Sequence, residues 1–389
     1  MLASRILPAC LLIFGLAALT VAQDPKPGEK KDSQPPAGEK KDDKKKDEGK
    51  KDETKKDVQP PEKKDDKKPD DKKDASKPDD KKDAATGGGT FMTRFELNKP
   101  IYMKMTTSVK QSIKVQGGGE PTQAHTQTFY FKWTPEKQDG DKWIVKLTIE
   151  GAALDLNIGG NPVKYDSTAT ETAATSNPAL AEYFRKLIGS ELKVTFDKAM
   201  AVEKVDGRDD LLAKLQNVNP QMEAVLRKIL TEEALKQMAD PSLGLSVAGE
   251  KKPNDTWEKK TTLSLGPIGS YEVTTKYTYK GKNTEGADAA EKDLDLIEVI
   301  STLVYKAPTE QADGLLFRIK GGTLETVDPK PGKILFNAKA GRIAKANLMI
   351  KMKGTLNVTV GGQDTSVDLT QEQTTDVLTS DTSFTAPKK

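Results

Sequence analysis

Residues 101–115 read IYMKMTTSVKQSIKV, and their apolar and polar side chains alternate. The odd-numbered positions carry mainly Ile, Met and Val, whereas the even-numbered positions carry mainly Lys, Ser and Thr. Because successive side chains of a β-strand point to opposite faces, this pattern predicts one long strand with one buried face. Three glycines, residues 117–119, end it.

The same alternation continues towards the C-terminus. Asp139-Gly140 is a hairpin signal between two further strands. After Gly151 the apolar positions change phase to Leu154 and Leu156, which indicates a β-bulge in a curved sheet. These strands are therefore predicted to form consecutive antiparallel neighbours.

Residues 256–385 contain further strand patterns without any helix of crossover length between them, so antiparallel pairing suffices there too. Gly354 is interpreted as a second point at which the apolar phase changes. The sequence thus predicts strands before and after a central segment whose apolar residues follow another period.

That central segment, residues 177–240, changes to the 3.6-residue period of helices. Asn177-Pro178 predicts a helix start, Asn219-Pro220 predicts another, and Thr231 predicts the cap of a last helix. A short strand pair is expected between Gly189 and the second helix. The predicted fold is mainly β (α+β): a large curved antiparallel sheet, or incomplete β-barrel, with the helical segment packed on it.

The N-terminal part divides into two segments that lie outside this fold. Residues 1–22 resemble a secretory signal peptide, with Arg5 before an apolar run too short to span a bilayer easily. A retained membrane anchor is the alternative. Export to the periplasm, cell envelope or extracellular space is predicted. The single cysteine, Cys10, lies in this segment, so the mature chain would lack disulfides.

Residues 23–90 consist largely of Lys, Asp, Glu and Pro, without aromatic residues. Such a segment cannot bury enough apolar surface to offset its conformational entropy, so a disordered linker is predicted before a single domain at 91–389. Its charges nearly cancel, which argues against nucleic-acid binding. An envelope protein or the cell wall is the partner expected of this arm, and a solubilising linker without a partner is the alternative.

Aromatic side chains supply the candidate site. The residues that would line an apolar ligand cavity, or else form ordinary core, are Phe129, Phe131, Trp133, Tyr183, Phe184 and Tyr277.

Chemically reactive groups are sparse in this sequence. The one histidine, His125, cannot build a familiar zinc site by itself and is interpreted as a solvated surface residue. Asp293 and Asp295 could share a strand face around calcium, but they are interpreted as solvated carboxylates. No catalytic residue, cofactor or metal is predicted.

The favoured hypothesis is an exported, non-enzymatic envelope protein that binds a lipid or another apolar ligand under a helical lid. One alternative is a structural or interaction domain with a solid core, tethered by the charged arm. A carboxylate-based hydrolase is the other alternative.

The order of landmarks resembles a family of unknown function found in secreted planctomycete-type bacterial proteins. The matching motifs are Tyr165-Asp166-Ser167, Leu187-Ile188-Gly189, Val194-Thr195-Phe196-Asp197, Val205-Asp206-Gly207, Asp255-Thr256-Trp257, Tyr277-Thr278-Tyr279-Lys280-Gly281, and Phe336-Asn337 with Gly341-Arg342. The resemblance runs from about Phe91 to Phe384 and implies no activity. Its layout is similar to LolA/LolB-type lipoprotein carriers, an analogy of fold alone.

This chain departs from the pattern of that family at three turns. The family has glycine where Met200 and Asn254 stand, and aspartate where Asn337 stands. These differences concern local turn geometry more than the fold.

Overall fold

The computed structural model describes residues 88–116, 120, 122–158, 161–169, 178–215, 227, 230–265, 268–285, 289–309 and 317–385. The predicted signal peptide and residues 23–87 of the predicted linker lie outside these residues. So does the helix predicted to start at Asn219-Pro220, apart from Arg227 and Leu230. The predicted cap at Asn177 does so as well.

The described strands form one large antiparallel sheet, as the alternation predicts. They are β1 (Ile101–Val115), β2 (Thr122–Asp139), β3 (Lys142–Ile158), β4 (Asn161–Asp166), β5 (Glu191–Phe196), β6 (Val202–Asp206), β7 (Thr256–Ser264), β8 (Ser270–Lys282), β9 (Asp295–Lys306), β10 (Phe317–Thr326), β11 (Gly332–Asn337), β12 (Arg342–Val360) and β13 (Gln363–Ser380). Their order across the sheet is β6-β5-β3-β2-β1-β13-β12-β10-β9-β8-β7; β4 pairs with β3, and β11 lies between β12 and β9.

β1 confirms the prediction made from its alternation. Its odd-numbered residues from Met103 to Ile113 are all buried, whereas its even-numbered residues are partly or fully exposed. β2 and β13 flank β1 on either side, so the first and last strands of the fold lie together in the middle of the sheet. The buried face of these strands is called the inner face below.

The two phase changes predicted at glycines have different outcomes. At Gly151 the pairing shifts: Tyr130 faces Gly151, but Phe131 faces Ile149, so a bulge is present as predicted. At Gly354 the prediction is wrong, because β12 pairs with β13 without a break. From Ala346 to Val360 the buried residues of β12 all have even numbers, on both sides of Gly354. Glycine is needed there because a Cβ would lie 1.9 Å from the carbonyl oxygen of Thr323 on β10.

The helices are short and pack with one face on the core. They are α1 (Pro178–Leu187), α2 (Arg208–Leu215), α3 (Glu232–Met238) and the single turn α4 (Ala289–Lys292). α1 buries Phe184, and α3 buries Leu235. The predicted cap of α3 is confirmed, since the Thr231 hydroxyl accepts a hydrogen bond of 3.1 Å from the Ala234 amide.

α3 contacts both β6 and β7, the two strands at opposite ends of the sheet order. The Gln237 amide donates a 2.6 Å hydrogen bond to the Thr262 carbonyl oxygen on β7. The sheet must therefore curve until its two edges reach the same helix, as the predicted incomplete barrel requires.

Residues 88–98 contact both halves of the curved sheet, of which the first half is β1–β6 and the second half is β7–β13. The Phe91 ring lies 5.0–5.6 Å from the rings of Trp257, Tyr279 and Phe336 in the second half. Phe95 lies 5.1 Å from Phe196 in the first half. Backbone pairing begins at Gly89, within the segment predicted as linker, where it exchanges hydrogen bonds of 2.8 Å with Lys251.

Two of the three turns that depart from the family pattern adopt left-handed backbone conformations. Met200 has φ of 59° and Asn254 has φ of 74°. Glycine adopts such angles without steric cost, which explains why glycine suits both positions. Met200 holds this conformation with its side chain buried in the core.

Candidate functional site

Four of the six candidate aromatic residues meet at one place, where α1 lies over β2. Phe129 lies 5.8 Å from Phe131 and 6.3 Å from Phe184, measured between ring centroids. Tyr183 lies 5.5 Å from Phe184, and Tyr165 of β4 stacks on Phe184 at 5.3 Å. These five residues are called the aromatic cluster.

The other two candidates lie elsewhere in the interior. Trp133 is buried and lies 6.4 Å from Phe196. Tyr277 is fully buried, stacks on Trp257 at 5.3 Å, and donates a hydrogen bond to the Leu243 carbonyl oxygen. The structure thus divides the six residues among three groups of rings, and a ligand-lining role for them stays a prediction.

The aromatic cluster differs from these other groups in its exposure. Phe129, Phe131, Tyr165 and Tyr183 are only half-buried, and Phe184 beneath them is buried. Burial raises the pKa of Tyr165, so its phenol is uncharged at neutral pH. The cluster therefore presents neutral, largely apolar ring surface at the edge of the core.

Next to the aromatic cluster, the inner face becomes polar at its centre. Three successive rows of cross-strand neighbours on β2, β1 and β13 contain buried amide, hydroxyl and imidazole side chains. The buried members, called the polar strip below, are Thr107, Gln111, Gln123, His125, Gln371, Gln373 and Thr375. Apolar rows lie on both sides along the strands, one with Ile113 and Leu369 and the other with Met105 and Phe129.

Part of the polar strip is hydrogen-bonded within itself. The Gln371 amide donates to the Gln373 side-chain oxygen at 3.5 Å, and the Gln373 amide donates to the Thr375 hydroxyl at 3.4 Å. The hydroxyl oxygens of Thr375 and Thr107 are 3.4 Å apart. These distances are at the long end for hydrogen bonds, so the contacts are weak.

Two other buried atoms of the polar strip have no hydrogen-bond partner. They are Oε1 of Gln111 and Nε2 of Gln123. The two residues face each other directly across β1 and β2, and each side chain is 4% exposed. A buried polar group left without a partner costs about 1–3 kcal/mol, so both groups favour an additional hydrogen-bonding molecule.

His125 belongs to this strip, and its interpretation as a solvated surface residue is wrong. It is 9% exposed and lies between Val109 of β1 and Leu156 of β3. Burial among these apolar neighbours lowers the pKa of His125 to about 4, so its imidazole is neutral at pH 7. The strip therefore offers hydrogen bonds without charge.

Part of the polar strip could have been predicted from the sequence, because some polar residues stand at positions that the alternation assigns to the buried face. Thr107 and Gln111 occupy the buried parity of β1, and Gln123 and His125 occupy the corresponding parity of β2. The contribution of β13 required knowing that β13 pairs with β1.

The prediction that Asp293 and Asp295 are both solvated is wrong for Asp295. Its side chain is buried at the start of β9, where Oδ1 accepts a 2.7 Å hydrogen bond from the Tyr279 hydroxyl and lies 3.0 Å from Lys282 Nζ. Burial and this hydrogen bond raise the pKa of Tyr279 well above its ordinary value. Tyr279 and Lys282 thus stabilise a buried carboxylate.

A surface depression of about 470 Å³ lies between the β6–α2 connection and the start of α3. Its charged side chains are partly paired, since Lys204 lies 2.7 Å from Asp206 and Arg208 lies 3.1 Å from Asp209. It offers a charged surface, unlike the aromatic cluster and the polar strip.

Two further observations concern only the residues that the structure describes. Their His, Cys, Asp and Glu side chains form no group of three or more that could hold a metal ion. None of their helices is long and apolar enough to cross a membrane.

Comparisons with known proteins give structural matches of low identity and low TM-score. No curated protein matches the chain. Among solved structures, one of lipovitellin that concerns lipid–protein interactions has 13% identity and a TM-score of 0.38. The match covers 76% of this chain and 26% of that chain. DynF of the dynemicin pathway of Micromonospora chersina has 8% identity and a TM-score of 0.18, with coverages of 76% and 86%. OccK5 (OpdH) of Pseudomonas aeruginosa has 8% identity and a TM-score of 0.18, with coverages of 73% and 99%.

Residues 139–292, which reach from the end of β2 to the end of α4, match a family of unknown function (DUF6263).

Proposed function

We propose that this protein is an exported, non-enzymatic envelope protein that binds an apolar molecule, such as a lipid, where α1 lies over the inner face of the sheet. The observation that carries this proposal is the half-buried aromatic cluster. Contiguous apolar surface left accessible on a folded protein commonly marks a binding site. Aromatic side chains also dominate the lining of sites for small apolar ligands.

The position of the cluster supports a site between a lid and a sheet. Its residues come from three elements, with Phe129 and Phe131 on β2, Tyr165 on β4, and Tyr183 and Phe184 on α1. A displacement of α1 by a few ångströms would expose Phe184 to the same ligand that contacts Phe129. Short helices packed by one face are well suited to such movement.

Export is the part of the proposal that rests on sequence alone. The Arg5 charge and the following apolar run in residues 1–22 favour secretion, and the charged segment at 23–87 would then connect the domain to an envelope partner or the cell wall. Fractionation of the producing cells, with N-terminal sequencing of the mature protein, tests both cleavage and compartment.

Binding is tested with the full-length protein, purified without detergent and titrated with the apolar dye N-phenyl-1-naphthylamine. Phe131→Ala removes a half-buried ring of the cluster, and we expect its dye affinity to fall about tenfold, since burial of such a ring contributes about 1.5–3 kcal/mol. Trp257→Ala is the matched control, because Trp257 is another half-buried ring that lies outside the cluster.

Mass spectrometry of organic extracts from the same protein identifies any molecule that co-purifies. An unchanged dye affinity in Phe131→Ala, or equal losses in both variants, would contradict the proposed site. Absence of dye binding and of co-purifying molecules would favour the alternative of a structural domain with a solid core.

A further inference from the structure

The chemistry of the polar strip restricts what can be bound beside the aromatic cluster. Inner-facing positions of β1, β2 and β13 in the three polar rows and the two flanking rows carry no Asp, Glu, Lys or Arg. His125 is neutral at pH 7 because of its burial. A charged group placed on these rows would therefore be buried without a counter-charge, which costs several kcal/mol.

The two unpartnered atoms have complementary hydrogen-bonding character. Oε1 of Gln111 is an acceptor and Nε2 of Gln123 is a donor, and the residues are direct cross-strand neighbours, whose Cβ atoms lie about 5 Å apart. A single small group that both donates and accepts would satisfy both. A hydroxyl and a primary amide have this property, whereas a carboxylate lacks the donor.

The polar strip and the aromatic cluster form one continuous track along β2. Gln123, His125, Gln127, Phe129 and Phe131 occupy alternate positions of that strand and face the same side. At about 3.3 Å per residue, the track from Gln123 to Phe129 is about 20 Å long. One elongated molecule could therefore contact both ends.

We propose that Gln111 and Gln123, together with the rest of the polar strip, form the headgroup subsite for an elongated amphipathic ligand whose polar end is an uncharged hydroxyl or amide. The apolar chain of this ligand lies along the aromatic cluster. Monoacylglycerols and long-chain alcohols have this chemistry. The proposal rests on the proposed apolar-ligand function and specifies the ligand class of the same site.

The test compares two long-chain ligands with the same acyl chain. Full-length protein is titrated at pH 7.5 with 1-monooleoylglycerol, whose head is neutral, and with oleate, whose head is anionic. Each ligand displaces N-phenyl-1-naphthylamine from the aromatic cluster. We expect the wild type to bind 1-monooleoylglycerol at least about tenfold more tightly than oleate, because the oleate charge has no partner in the strip.

The double variant Gln111→Met with Gln123→Met removes both unpartnered atoms while nearly conserving side-chain volume. We expect it to bind 1-monooleoylglycerol about tenfold more weakly and the dye with unchanged affinity. Unchanged dye binding also shows that the variant is folded. Gln237→Met, which makes the same exchange on α3 outside the strip, is the control and should match the wild type for every ligand.

The outcomes separate this inference from the function on which it rests. If the dye binds but 1-monooleoylglycerol binds the wild type and the double variant equally, the headgroup subsite is overturned while the apolar site stands. Equal affinities of the wild type for oleate and 1-monooleoylglycerol also overturn the requirement for a neutral head. If the wild type binds neither dye nor lipid, the proposed function fails together with the subsite.

Discussion

Buried polar groups on the inner faces of the two halves of the sheet differ in their hydrogen bonding. On β8 and β9 the hydroxyls of Tyr277, Tyr279 and Tyr305 donate to Leu243, Asp295 and Ile268, respectively. On β1 and β2 the buried amides of Gln111 and Gln123 each leave an atom without a partner. Other buried atoms lack partners in both halves: Trp133 Nε1 and Thr134 Oγ1 in the first, and Trp257 Nε1, Thr261 Oγ1, the Tyr271 hydroxyl and Asp295 Oδ2 in the second. What distinguishes the first half is that its two unpartnered amides face each other directly across β1 and β2, so a single ligand group could reach both.

The largest expected effect concerns the aromatic rings of the two halves. Phe91 is fully buried among three rings, so Phe91→Ala should lower the free energy of unfolding by about 4 kcal/mol through lost burial and a residual cavity. Phe131→Ala in the half-buried aromatic cluster should cost about 1–2 kcal/mol. Urea denaturation followed by circular dichroism measures both values. Equal losses would remove the distinction between core and accessible cluster.

A somewhat smaller effect should appear in the pH dependence of stability. The pKa of His125 is about 4 in the folded protein and 6.5 in its ordinary environment, so between these pH values the unfolded chain binds the proton more readily. Stability due to the neutral imidazole is therefore complete above about pH 6.5, and about 3 kcal/mol of it is lost as the pH falls to about 4. Val109 and Leu156, its neighbours on β1 and β3, carry no titratable group that would change this sign.

The comparison for this prediction is His125→Gln, which cannot take up the proton. Urea denaturation at pH 7.5, 6, 5 and 4 should show a steeper loss of stability for the wild type than for the variant. Titration of the carboxylates contributes equally to both proteins. Parallel curves would show that His125 is more solvated in the folded protein than its position on the inner face implies.

The smallest expected effects contrast partnered with unpartnered polar groups. Tyr279→Phe removes the hydrogen bond to the buried Asp295 carboxylate and should lower the free energy of unfolding by about 2 kcal/mol. Gln111→Met with Gln123→Met removes no such bond from either unpartnered atom and should change stability by less than about 1 kcal/mol or raise it. Chemical denaturation of ligand-free protein tests the contrast. A loss of about 2 kcal/mol in the glutamine variant would mean that these amides are structural after all.

Much of the architecture could be predicted from the sequence because it depends on local patterns. The alternation of β1, the bulge at Gly151 and the Thr231 cap each involve residues close together in the chain, and all are confirmed. The error at Gly354 was one of interpretation, because the apolar residues on both sides have even numbers and the local pattern keeps its phase. The need for glycine there comes from the close approach of β10, which local pattern does not identify. Asp295 was likewise misinterpreted because its partner Tyr279 lies on another strand.

The candidate site was only partly predictable for the same reason. Four of the aromatic residues could be selected as apolar, but nothing local separates their half-exposed cluster from the buried positions of Trp133 and Tyr277. The polar strip depends on Thr107 meeting Thr375, residues 268 positions apart. Such a meeting follows from strand order, which alternation does not specify.

The central pairing of β1 with β13 also has a consequence for the order of assembly. Residues 101–115 emerge from the ribosome long before residues 363–380, so β1 retains an open edge during most of synthesis. Local hairpins such as β2–β3 can form early, but closure of the middle of the sheet must wait for β13. The polar strip and the core around it are therefore completed in a late, long-range step. Until that step one edge of β1 and the apolar side chains of its inner face lack their final neighbours.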